Sequence, residues 1–146
     1  MWETTKSVKA DIKKVLFDIR EADKKELSYF KELGLKAKIK KMVELGSTSL
    51  FIDGDLVCIY GVKEHKQAYL PYMITTEHII KHKISFLKVS KPLFKKLLEE
   101  CDKDYLIHNF VHYENILAIK WLRWVGFSFG RSRYFNGTYF FEFSYV

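Results

Sequence analysis

Cysteine and proline are scarce in this chain, with two of each among 146 residues. Cys58 and Cys101 stand apart, without the spacing of a metal knuckle or a redox pair. They read as reduced thiols of a cytoplasmic protein, not as a disulfide framework. No apolar run approaches the roughly 18 residues of a membrane span, so no membrane partner is expected. The N-terminus, Met1 to Lys6, lacks an apolar signal-peptide core, and export is not expected. Gly-x-Ser-x-Gly, the Gly-Lys-Ser/Thr phosphate loop and paired-cysteine motifs are all missing, which removes the chemistries they carry. His78 and His82 share a helical spacing, but no glutamate follows His78, so the zinc-protease pattern is absent. They read as a solvent-exposed pair beside lysines, and no metal is expected.

What is present suits a folded domain. At 48% hydrophobic and 16% aromatic residues, the chain has the material for a core, and its length fits one domain spanning residues 1–146. The net charge of +7 implies attraction to phosphate, on a coenzyme, a nucleic acid or another anion. Solvated helix faces are the simpler reading. The lysines cluster all the same: Lys36, Lys38, Lys40 and Lys41 form one group, and Lys81, Lys83, Lys88, Lys91, Lys95 and Lys96 another.

Periodicity then divides the chain. A short strand is expected around Lys6 to Lys9, with Val8 as its apolar anchor. From Asp11, the spacing of Ile12, Val15, Leu16 and Ile19 predicts a helix. Asp23 followed by Glu26 predicts a capped second helix ended by Gly34. Leu35 to Leu45 predicts a third, closed by Gly46. Asp53-Gly54 between Ser49–Ile52 and Asp55–Tyr60 predicts a hairpin. Gln67 to Ile74 reads as a strand, with Pro71 implying an edge or a bulge. Thr76 could cap a short turn. Ser90 reads as the cap of a helix with Pro92 in its first turn. Tyr105 to Val111 reads as a strand, Glu114 to Val125 as a helix stopped by Gly126, and Phe127 to Val146 as an aromatic hairpin about Asn136-Gly137.

Strand, helices, three-strand meander, helix, strand, helix, hairpin is the order of the GNAT (Gcn5-related N-acetyltransferase) fold. Asn115, Ala118, Gly126 and Phe127 resemble that family's C-terminal motif at its usual separations. The fold expected is therefore α+β, a central mixed and mostly antiparallel sheet flanked by helices, with a C-terminal β-hairpin. A narrower resemblance covers nearly the whole chain. Arg20-Glu-Ala-Asp23-Lys-Lys-Glu26-Leu27, with the elements after it, looks like the small GNAT-like and internal virion proteins of short-tailed bacteriophages. A capping box explains the acids of that segment; Arg20 is what it explains least. The resemblance implies a phage origin, a place in the host cytoplasm or the virion, and a host or virion protein as partner.

The resemblance also implies acetyl-CoA as cofactor and N-acetyl transfer as activity, yet the family's chemistry is incompletely written. The stretch from Thr75 to Pro92, where a glycine loop would cradle pyrophosphate, has no glycine. Lys88, Ser90 and Lys91, at the expected helix start, are the substitute cofactor-binding residues, together with Asn115. Leu122 stands where many members carry a tyrosine that protonates the leaving thiolate. His112, at the end of a strand, and Glu26 are the catalytic candidates, because imidazole and carboxylate can act as bases. His108 reads as a hydrogen-bonded, half-buried strand residue. Two further readings stand beside the enzyme: a GNAT-shaped protein that binds without catalysis, with hairpin aromatics such as Tyr134 and Tyr139 as contacts, and a nucleic-acid binder using the lysine clusters. The sequence leaves the acceptor and the oligomeric state open.

Overall fold

The computed structural model describes residues 1–145; Val146, the end of the expected hairpin and domain, lies outside the described residues. The elements are β1 (Trp2–Lys6), α1 (Lys9–Asp18), α2 (Glu21–Ser28), α3 (Leu35–Glu44), β2 (Thr48–Ile52), β3 (Asp55–His65), β4 (Ala68–Thr75), α4 (His78–Lys81), α5 (Lys83–Glu99), β5 (Leu106–His112), α6 (Ile116–Val125), β6 (Ser128–Phe135) and β7 (Thr138–Tyr145). The seven strands form one sheet in the order β1-β2-β3-β4-β5-β7-β6. β1/β2, β2/β3, β5/β7 and β6/β7 pair antiparallel, and β4/β5 pair parallel. This is the expected α+β arrangement. The chain divides into two compact units: Met1–Gly61 with Tyr72–Phe86, and Val62–Pro71 with the chain from Leu87 onward.

In the first unit, Ile12 and Val15 of α1, with Ile19 just beyond its end, share a core with Ile39 of α3, Leu56 and Ile59 of β3, and Ile74 of β4. The β2–β3 turn places Asp53 and Gly54 at φ of 49° and 83°, as a tight hairpin requires. Element starts depart from expectation for local reasons. The first strand ends at Lys6, not Lys9, and Val8 is exposed, so it anchors nothing. α1 begins before Asp11 because the Asp11 carboxylate reaches back to the Val8 N–H at 3.0 Å and also accepts the buried Ser49 hydroxyl at 2.9 Å. Asp23 lies inside α2, which starts at Glu21. Gly34 does not stop that helix; it occupies the N-cap of α3. The end of α2 is met instead by the Lys38 ammonium, which donates to the carbonyls of Leu27 and Phe30. A cation satisfies carbonyls that a helix end leaves open, and burial lowers the Lys38 pKa. The Thr76 hydroxyl does not cap α4: it donates to the Leu56 carbonyl at 2.6 Å.

Ser90 and Pro92 do not open a helix. α5 starts at Lys83 and runs 17 residues, with both inside it. Pro92 removes one bond, the one to the Lys88 carbonyl. It lies on the exposed side, while Val89, Phe94 and Leu98 are buried along the helix and hold it together. Pro71 marks neither an edge strand nor a sheet end, since β4 is interior to the strand order. The β4/β5 ladder covers only Ala68↔Leu106 and Tyr69↔Ile107, so it ends before the proline, whose carbonyl accepts the Asn109 side-chain amide at 2.9 Å. α6 ends as expected. Gly126 takes φ of 119°, and the Gly126 and Phe127 N–H groups close on the Leu122 carbonyl. Asn115 occupies the N-cap position of α6, but its side chain makes no capping bond. The β6–β7 turn repeats the first hairpin's geometry, with Asn136 and Gly137 at φ of 52° and 83°.

Candidate functional site

The end of β4 carries a buried polar cluster of the first unit. The Thr75 hydroxyl donates to Asp23 Oδ2 at 2.5 Å and accepts from Arg20 Nε at 2.7 Å. The Thr75 N–H joins the same Oδ2 at 2.7 Å, and Arg20 Nη2 donates to Asp23 Oδ1 at 2.9 Å. Main-chain bonds flank the cluster: Arg20 N–H to the Thr75 carbonyl, and Glu77 N–H to the Asp18 carbonyl. The Arg20 and Asp23 side chains are only 12% and 6% exposed. The segment expected as a capping box is therefore a buried clamp between the α1–α2 junction and β4. Its one signal in the sequence was an arginine that surface charge explained poorly. Cys58 is fully buried, and burial, reinforced by the negative charge of Asp23, pushes its thiol pKa up. Glu26, the candidate base, lies half-buried in the second turn of α2.

After β4 the backbone amides are largely committed. Thr76 N–H donates to Val57, Glu77 to Asp18, Ile79 to Thr76, Ile80 to Glu77 and His82 to Ile79. Two imidazoles fix this turn, each to a different carboxylate. His78 Nε2 lies 3.0 Å from Asp18 Oδ2, and His82 Nε2 lies 2.9 Å from Asp55 Oδ2. The His82 bond is the leading cause that lowers the Asp55 pKa. His82 is 7% exposed, so the two histidines are not the solvated pair expected. Among the described residues, no group of three or more His, Cys, Asp or Glu is placed to hold a metal.

Lys88, Ser90 and Lys91 lie inside α5, beyond its first turn, so they do not stand at a helix start as expected. The buried Ser90 hydroxyl accepts Trp121 Nε1–H at 2.8 Å, and Phe94 meets the Trp121 ring edge-on at 4.8 Å. Lys91 Nζ sits 4.7 Å over the Trp124 ring. Asn115 is buried at the head of α6.

In the second unit, His112 ends β5 and is 1% exposed. Its Nδ1 accepts the Glu114 N–H at a long 3.4 Å, and its Nε2 lies 2.9 Å from Thr138 Oγ1. The ring packs against Phe140 and Tyr113. Tyr113 in turn meets the exposed Tyr139, and Tyr139 meets Tyr134. Tyr105 packs on Tyr69. Leu122 is buried. His108 is half-buried as expected, with Nδ1 3.0 Å from Glu142 Oε2, and Arg133 reaches the other oxygen of that carboxylate. Of the hairpin aromatics, Tyr134 and Tyr139 are exposed, while Phe140 and Phe143 belong to the core.

No protein-family model matches the sequence, and no curated protein matches it either. Solved structures do. An acetyltransferase of the GNAT family from Streptococcus agalactiae matches with a TM-score of 0.68 at 13% identity, covering 99% of this chain and 95% of that one. The ribosomal-protein-S18-alanine N-acetyltransferase from Escherichia coli matches at 0.64 and 10% identity, over 99% and 92% of the two chains. The PaiA N-acetyltransferase from Thermoplasma acidophilum, solved in complex with coenzyme A, matches at 0.63 and 17% identity, over 99% of both. At these identities the likeness shows the fold, which is that of the GNAT acetyltransferases.

Proposed function

We propose that this chain is an N-acyltransferase that uses acetyl-CoA as its acyl donor. One observation carries the reading: its elements match, over 99% of their length, those of solved acetyltransferases, one of them holding coenzyme A. Acetyl-CoA would supply an activated thioester. On the chain's side, the fit to the cofactor is partial. The amides of Glu77, Ile79 and His82 are already bonded to protein carbonyls. What suits a pyrophosphate in kind is the first turn of α5, Lys83 to Ser85, where a helix leaves N–H groups open beside the cations of Lys81 and Lys83. Glu26 is the proposed base that takes the acceptor amine's proton. His112, with Nε2 bound to Thr138, is proposed to act by holding β5 against the β6–β7 turn. The resemblance of the Arg20–Leu27 segment supports a phage origin, with action in the host cytoplasm or in the virion.

A second reading is favoured by the same committed amides and by the burial of Leu122: a GNAT-shaped protein that has lost catalysis and binds a host or virion protein. Titration calorimetry with acetyl-CoA, CoA and ATP at two salt concentrations separates the two. Saturable binding of the CoA species that exceeds ATP and survives salt supports the enzyme, and loss of turnover with retained binding in Glu26→Gln then supports the base. Equal, salt-erased binding of all three leaves the non-catalytic reading.

A further inference from the structure

The second unit has a face that the acyl-transfer reading does not use. Lys88, Lys91 and Lys95 recur at spacings of three and four along α5, which places them on one side of the helix. On α6, Lys120, Arg123 and Trp124 share the exposed side, opposite the buried Ile119, Leu122 and Val125. Two contacts order the strip across the surface. Lys91 Nζ lies over the Trp124 ring at 4.7 Å, joining α5 to α6, and the Arg123 guanidinium lies 5.0 Å over the Phe129 ring, joining α6 to β6. α6 and β6 carry no aspartate or glutamate, and the first on α5 is Glu99, which bounds the strip four residues after Lys95. The Trp124 indole remains 50% exposed in the midst of these cations.

We propose that this α5–α6 face binds single-stranded nucleic acid, with the five cations tracking phosphates and Trp124 stacking on a base. The chemistry is what favours this occupant. Point charges spread along two helices match a repeating backbone anion, and an exposed indole between them offers a π-face to any base. The exposed side of α6 carries no amide or hydroxyl, and its Arg123 lies over the Phe129 ring, so stacking and phosphate contacts that tolerate any sequence are expected to dominate. The inference does not depend on the acyl-transfer reading.

The test is fluorescence anisotropy of a labelled 20-nucleotide oligothymidylate with the whole chain between about 50 and 200 mM salt. The unaltered protein is expected to bind, with an affinity that falls steeply with salt. Replacing Lys88, Lys95 and Lys120 together by Gln is expected to flatten the log–log salt slope by about 2, at about 0.7 per phosphate contact on a single strand. Trp124→Leu, which keeps apolar bulk and loses the π-face, is expected to weaken binding on the order of tenfold. The control is an equal loss of charge elsewhere, Lys36, Lys40 and Lys41 to Gln on α3, with little expected change. No binding at low salt, an equal loss in the α3 control, or unchanged affinity in Trp124→Leu overturns the proposal. So does equally tight binding of a polyglutamate competitor, which would assign the face to acidic protein segments. Thermal melts confirm that each variant is folded.

Discussion

Replacing Arg20 with Met tests whether the buried clamp is a main support of the first unit. The methionine keeps the aliphatic length and removes only the charged head. Asp23 is left 6% exposed with its carboxylate facing the vacated guanidinium site. Removing one partner of a buried pair costs about 3–5 kcal/mol, because the remaining charge is uncompensated. Here the cost falls below that range, since Asp23 keeps the Thr75 N–H at 2.7 Å and hydroxyl at 2.5 Å. Hydrogen bonds to the carboxylate persist after the change, so part of its charge stays stabilised. Arg20→Met should therefore lose about 2–3 kcal/mol in equilibrium urea unfolding, with the slope unchanged. The double variant Arg20→Met/Asp23→Leu should lose less than the sum of the two single changes, because the stranded carboxylate is gone. A loss below about 0.5 kcal/mol in Arg20→Met, or strict additivity, would refute the argument and reduce the cluster to a weakly coupled surface pair.

Three other outcomes follow from individual contacts. A Cβ at residue 61 would lie 2.6 Å from the Tyr72 hydroxyl oxygen, so Gly61→Ala should cost about 1–3 kcal/mol by displacing that ring from its bond to the Met42 carbonyl, and adding Tyr72→Phe should recover part of it in the same unfolding assay. The pKa of Asp55 is lowered in the folded chain, so the stability it contributes is complete above the ordinary carboxylate range and lost as pH falls through its depressed pKa; melting temperature should decline on acidification, and less so in Asp55→Asn. Cys58 is fully buried with its thiol pKa pushed up, so thiol titration of the native protein at pH 8 should find Cys101 reacting first and Cys58 only on unfolding.

Where backbone chemistry and periodicity agree, the elements were legible in the sequence. Asp53-Gly54 and Asn136-Gly137 permit few other geometries, and both hairpins form where those pairs stand. Gly126 likewise closes α6 at the expected residue. The misplaced boundaries share a cause. At Asp23, Thr76 and Ser90, a side chain with the chemistry of a cap is buried and bonded to a group distant in sequence: Thr75, the Leu56 carbonyl and Trp121. A short polar side chain before an apolar run looks the same whether its partner lies three residues away or thirty. Only the tertiary fold distinguishes the two.

The candidate site was less legible for the same reason. His112 and Lys88 have the right chemical type for their expected roles, but function depends on what a group still has to offer after folding. The His112 ring holds Thr138 and the Glu114 N–H, and the amides after β4 hold protein carbonyls. Missing glycines therefore had a consequence beyond lost flexibility. Side chains in this stretch let the chain settle into the short helix α4, pinned by His78 to Asp18 and by His82 to Asp55, and that helix consumes donors a bare loop would have left open to an anion. If acyl transfer persists on this frame, the donor must be held by groups outside the turn, and the first turn of α5, where Lys83 follows Lys81, is the place proposed for it.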